Sequence, residues 1–87
     1  MTYSVFWKFS AIQQLSRIEA ESDDSNAVRQ ASARIDFALR RYPKDMGESR
    51  SPGFRLWYED ILGVYYGVDD VTLCVEVFFV GPSRRPR

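Results

Sequence analysis

Few side chains in this 87-residue sequence can do chemistry. It holds no histidine and one cysteine, Cys74. No phosphate loop, zinc-ligand pattern or nucleophile triad occurs along it. The acidic group Glu19, Glu21, Asp23 and Asp24 lacks the glycine and spacing of a calcium loop and reads as a solvated turn. Cys74 has no cationic neighbour fixed by sequence, so nothing activates its thiol. The candidates that remain lie between Gly53 and Gly81 and at the C-terminus. Arg55 can contact a phosphate or a partner, or form a surface ion pair with Glu76 worth only ~0.5 kcal/mol. Trp57 can serve as a partner hot spot or pack under the C-terminal tail. Tyr65 can carry a proton or merely pack. Arg84, Arg85 and Arg87 form either a mobile basic tail or a functional contact. No metal or cofactor is expected.

Composition narrows the classes. Twelve basic residues balance twelve acidic ones, which argues against a surface devoted to nucleic acid. A 45% hydrophobic content with six Phe, five Tyr and two Trp suffices for one compact core. The expectation is a single domain over residues 1–87, burying roughly 60–65% of its unfolded surface and therefore thin in stability. One cysteine fits a reducing compartment. No stretch is long and apolar enough for a membrane span, and the chain opens into a strand rather than a signal peptide. A cytoplasmic location is expected.

These candidates need elements to position them. Thr2–Lys8 alternates Tyr3, Val5 and Trp7 with Ser4 and Lys8, as a strand does. Ser10 and Gln13 have the spacing of a capping box, and Ala11, Ile12, Leu15 and Ile18 continue a short helix to about Ala20. Glu21–Asn26 is a polar turn. From Ala27, the positions Val28, Ala31, Ile35, Ala38, Leu39 and Tyr42 keep helical spacing until Pro43. The short connection predicts an antiparallel helical hairpin. Pro43–Pro52 is a loop by composition.

Gly53–Gly81 holds three apolar runs separated by two acidic breaks, the pattern of an antiparallel meander. The predicted class is α+β: an N-terminal strand, a helical hairpin and a three-stranded meander, with the helices on one sheet face. A two-residue turn at Asp69-Asp70 would pair Val68 with Val71. A two-residue turn at Glu59-Asp60 would send Arg55 and Trp57 into the core, and an unpaired buried arginine costs several kcal/mol. The sequence therefore favours a three-residue connection pairing Tyr58 with Leu62. That register predicts a core face of Phe54, Leu56, Tyr58, Leu62, Val64, Tyr66, Val68, Val71, Leu73, Val75, Val77 and Phe79. The opposite face would hold Arg55, Trp57, Gly63, Tyr65, Gly67, Thr72, Cys74, Glu76 and Phe78, with the Trp57 indole over Gly63. A one-residue slip would invert the assignment.

The order of elements resembles the RelE/ParE toxin superfamily, the plasmid-stabilisation type of toxin in type II toxin–antitoxin pairs. Residues that carry the resemblance are Tyr3-x-Val5-x-Trp7, Ala11/Leu15/Ile18, Ile35-Asp36-x-x-Leu39 before Tyr42-Pro43, and Gly47-Glu48-Ser49. Gly53-Phe54-Arg55-Leu56 and Val64-Tyr65-Tyr66-Gly67-Val68 before Val75-x-Val77 complete it. The resemblance implies a bacterial toxin neutralised by an antitoxin that wraps it, with either the ribosome and mRNA (RelE branch) or DNA gyrase (ParE branch) as target. RelE-type cleavage needs a proton acceptor, cations for a pentavalent phosphate and an acid for the leaving oxygen. By the resemblance, Arg55 matches one basic position and Arg84 or Arg85 a C-terminal one. Trp57 and Gly63 stand where other cations belong, and no tyrosine follows Gly81. The expected function is a ParE-like or nuclease-deficient toxin. In that role Trp57, Tyr65, Glu76, Phe78 and Arg85 contact partners, and Arg55 and Arg84 are the residues available for catalysis. The alternatives are a ribosome-dependent endoribonuclease and an inert, self-associating relative.

Overall fold

The computed structural model describes residues 2–83; Arg84, Arg85 and Arg87 lie outside the described residues. Strand β1 (Ser4–Trp7) leads into helices α1 (Phe9–Glu21) and α2 (Ser25–Arg41), followed by β2 (Glu48–Ser51), β3 (Phe54–Glu59), β4 (Leu62–Asp69) and β5 (Cys74–Pro82). They form a five-stranded mixed sheet in the order β1-β5-β4-β3-β2, with β1 parallel to β5 and the other pairs antiparallel. Both helices cover one face. Val28, Ala31, Ile35 and Leu39 of α2 and Ala11 of α1 bury against Trp57, Leu62, Val64, Tyr66, Val75, Val77 and Val80.

The helix starts differ in how they are capped. Asp24 caps α2, its carboxylate accepting the Ala27 N–H at 3.0 Å. The capping box expected at Ser10 does not form. Lys8 is still held in the sheet, donating its N–H to the Val77 carbonyl at 2.9 Å, and the helix turns directly out of it at Phe9. Ser10 is therefore already inside the helix. Within the expected loop, β2 pairs with β3 along the sheet's far edge. Its four residues are all exposed, so it has no apolar alternation to announce it.

The meander's register differs from expectation at both ends. Glu59 pairs with Leu62 across a two-residue turn at Asp60-Ile61, Trp57 with Val64, and Arg55 with Tyr66. Asp60 takes the left-handed backbone conformation, φ 53°, that aspartate tolerates better than most side chains. This parity turns Arg55 and Trp57 to the helix side, and Phe54, Leu56 and Tyr58 away from it. The objection to burying Arg55 fails because Arg55 is partnered. Its Nε donates to the Met46 carbonyl at 2.8 Å and its guanidinium to the Gly47 carbonyl at 3.2 Å. Beside it, the Tyr66 hydroxyl donates its one hydrogen to the Pro43 carbonyl at 2.7 Å, with the Met46 carbonyl also within reach at 3.1 Å. One cross-strand pair thus satisfies the carbonyls of the chain that brings α2 to β2.

At the second turn, the Asp69 carboxylate accepts the N–H groups of Val71 (2.9 Å) and Thr72 (3.3 Å) and closes a longer loop. Those donors hold its carboxyl below the usual range. Val68 pairs with Val75 rather than Val71, which stands 93% exposed. The shift is even, so Val75 and Val77 keep the core face. An irregularity opposite Tyr65/Tyr66 then inserts one residue, turning Phe79 outward and Val80 inward.

Two outcomes follow from the Arg55–Tyr66 pair and the chain it holds. Gly47 has φ +62°, and a Cβ there would collide with the Leu56 carbonyl and lie 2.7 Å from the Trp57 Cβ. Gly47→Ala should cost about 2 kcal/mol or more, lowering Tm by roughly 10 °C in a calorimetric scan. Burial pushes the Tyr66 phenol up to about 12, Arg55 partly opposing it. Its stabilising contribution is full below the ordinary tyrosine value of 10.0 and fades as pH climbs toward about 12. Urea titrations should therefore show wild type more stable than Tyr66→Phe at neutral pH, with the difference shrinking across that alkaline window.

Candidate functional site

The face away from the helices is built from every second residue of β3, β4 and the first half of β5. Four of its side chains form one aromatic cluster. Phe54 stacks on Tyr65 with ring centroids 5.8 Å apart and 7° between planes. Phe78 tilts against both, at 5.7 Å from Phe54 and 6.3 Å from Tyr65, and Phe79 lies 6.1 Å from Tyr65. The glycines of β4 make room for these rings. A Cβ on Gly67 would sit 3.1 Å from Phe78 Cε2 and 3.2 Å from Phe54 Cε1. Gly63 lies under Tyr58, whose ring atoms would be 2.9 Å from a Cβ there.

Charge is sparse across this surface. Glu76 stands exposed between Phe6 of β1 and Gly67 of β4, its backbone neighbours, without an ion pair among the described residues. At the edge, the Lys8 ammonium lies 5.3 Å from the centre of the Phe78 ring, a cation–π contact. The Cys74 thiol donates to the Thr72 carbonyl at 3.5 Å. No group of His, Cys, Asp or Glu among the described residues converges to hold a metal ion. No helix in that range is long and apolar enough to cross a membrane.

The sequence-derived candidates divide between the two faces. Tyr65, Glu76 and Phe78 share the open face, as expected, along with Gly63, Gly67 and Cys74. Arg55 and Trp57 do not join them, because the Asp60-Ile61 turn inverts β3. The expected rows Arg55–Tyr65–Cys74 and Trp57–Gly63–Glu76 are absent, and Arg55 cannot reach Glu76 through the sheet. An aromatic does cover Gly63, but it is Tyr58 rather than the indole. Arg84 and Arg85 lie outside the described residues. Phe54 and Phe79, assigned to the core by sequence, belong to the open face instead. Two signals bore on this: glycines at 63 and 67 flanking Tyr65, which ask for rings above them, and the Phe78-Phe79 doublet, where alternation breaks.

Among the described residues, β3, β4 and the first half of β5 give this surface aromatic contact area. A phosphoryl transition state gathers negative charge and needs fixed cations or N–H donors. The middle strands offer aromatic faces there, and the one guanidinium of β3 is turned to the helix side.

No protein-family model and no curated protein sequence matches the chain. Solved structures do. The toxin–antitoxin complex RelBE2 from Mycobacterium tuberculosis contains a chain that matches with TM-score 0.72 and 20% identity, over 95% of this chain and 100% of that one. A chain of the chromosomal ParDE system of P. aeruginosa matches with TM-score 0.75 and 14% identity, over 95% and 98%. A mutant E. coli toxin RelE in the free state matches with TM-score 0.72 and 16% identity, over 97% and 86%. At such identities the likeness is one of architecture, and it spans nearly the whole chain: this chain has the fold of the RelE and ParE toxins.

Proposed function

We propose that this protein is the toxin half of a bacterial toxin–antitoxin pair, held inactive by a cognate antitoxin. In this reading it acts in the cytoplasm by occupying a protein target, as the ParE branch does with gyrase, and not by cutting mRNA. What carries the reading is the open face: Phe54, Tyr65, Phe78 and Phe79 stand together where a nuclease would need cations. The likeness to RelBE2 and ParDE supports an antitoxin partner. A half-exposed aromatic cluster bordered by the carboxylates of Asp69, Asp70 and Glu76 suits a protein interface, where such rings supply contact area at small entropic cost. Arg55 is a positioning residue here, because its donors are spent on the carbonyls of Met46 and Gly47.

Induced expression in a bacterial culture tests this directly. Growth should arrest, and co-expression of the antitoxin from the neighbouring gene should restore it. Phe79→Ser should relieve the arrest while circular dichroism shows the fold kept, since the ring is 56% exposed and can be removed without opening the core. A hot spot of this kind is worth about 2 kcal/mol, a loss of roughly 30-fold in target affinity. Primer extension on translated mRNA should show no new cuts. Cuts that vanish in Arg55→Ala would replace this reading with a ribosome-dependent nuclease. Unaffected growth would leave an inert relative of the family.

A further inference from the structure

The outer side of α2 carries a row of side chains that neither the core nor the open face uses. Ala33, Phe37 and Arg41 follow at four-residue spacing and lie one above another along the helix. Alanines at 33 and 38 leave the helix shallow where it crosses β3, opening a groove of about 480 Å³ between Phe37, Met46 and Trp57. Phe37 forms one wall at 58% exposed, and Trp57, 9% exposed, lies at the bottom. This is where the indole predicted to meet a partner resides.

The charge around this groove is uneven. Its own carboxylate, Glu59, is neutralised by Arg34 at 3.2 Å. Arg40 is likewise bound to Asp36 at 2.8 Å. Arg41 has no carboxylate partner among the described residues; its guanidinium carbon lies 4.1 Å from the centre of the Phe37 ring, at the groove's rim. The uncompensated charge beside the apolar hollow is thus positive, and it is held in place by the ring that forms the wall.

We propose that this groove docks a segment of a partner protein in which a bulky aliphatic side chain lies within one helical turn of a carboxylate. The aliphatic group fills the space between Phe37 and Trp57, and the carboxylate takes the Arg41 guanidinium in a charge-assisted pair. Tryptophan and arginine at one apolar hollow are the residue types that dominate interface energies. The surface is separate from the open aromatic face, so this docking stands or falls independently of the toxin reading.

Selection of random phage-displayed peptides on the immobilised full chain tests it. Enriched peptides should pair an aliphatic residue with Asp or Glu and should change tryptophan fluorescence on titration. Their Kd should weaken about ten-fold or more in Phe37→Glu and in Arg41→Glu, and Arg41→Lys should retain part of the affinity. Both side chains are exposed, and thermal melts of each variant establish that the fold is kept. Peptides of basic character, peptides insensitive to both substitutions, or no enrichment would overturn the proposal. A dimer in sedimentation that Phe37→Glu dissolves would assign the groove to a second copy of this chain instead.

Discussion

The pairing of Arg55 with Tyr66 across β3 and β4 is the contact on which the two-faced sheet depends. Five donors and an aromatic hydroxyl give this pair a capacity for carbonyl oxygens that no apolar pair has. The chain leaving α2 presents such oxygens at Pro43, Met46 and Gly47, and the pair binds all three. The bonds fix where the chain re-enters the sheet as β2, and Gly47 permits the close approach that brings it beside Leu56. They also make it affordable for an arginine to point toward the helices, which is what turns the other residues of β3 outward. A second tie works beside it, at the same end of β4: Asp70 accepts from the Tyr3 hydroxyl at 2.8 Å and from Lys44 at 3.2 Å, joining the β4–β5 loop to the residue before β1 and to the chain that leaves α2.

The proposed function rests on that inversion. With Arg55 behind the sheet, the outward positions of β3 are Phe54, Leu56 and Tyr58, and the glycines of β4 let the first and last of these rings lie flat on the backbone. The insertion in β5 adds Phe79 to the side that already holds Phe78. In the proposed reading, a fold shared with RelE and ParE toxins presents aromatic contact area on its open face. A single turn decides which side chains of β3 that face carries.

Much of the framework was legible in the sequence. The element order, the two helices with Ala31, Ile35 and Leu39 inward, and the core positions Val75 and Val77 follow from periodicity, because a buried stripe leaves a regular trace. What periodicity could not reach depended on backbone bonds made by side chains. Asp69 closes its own loop, moving Val71 into solvent, and β2 is a polar edge with no trace to leave. The register of β3 hinged on whether Arg55 would have partners, and those partners are carbonyls, present on every residue and invisible to a pattern of side chains. The candidates on β4 and β5 therefore came out on the expected face, whereas Arg55 and Trp57 did not.

The measurement closest to the central claim is a nuclear Overhauser spectrum of the isotopically labelled protein, read at β3 and β4. The ring of Tyr58 should show cross-peaks to the Gly63 α-protons, which it should shift upfield, and the Trp57 indole should show them to the Val64 methyls. Cross-peaks from the Trp57 indole to Gly63, with Tyr58 instead contacting core methyls, would return Arg55 to the open face and contradict the account.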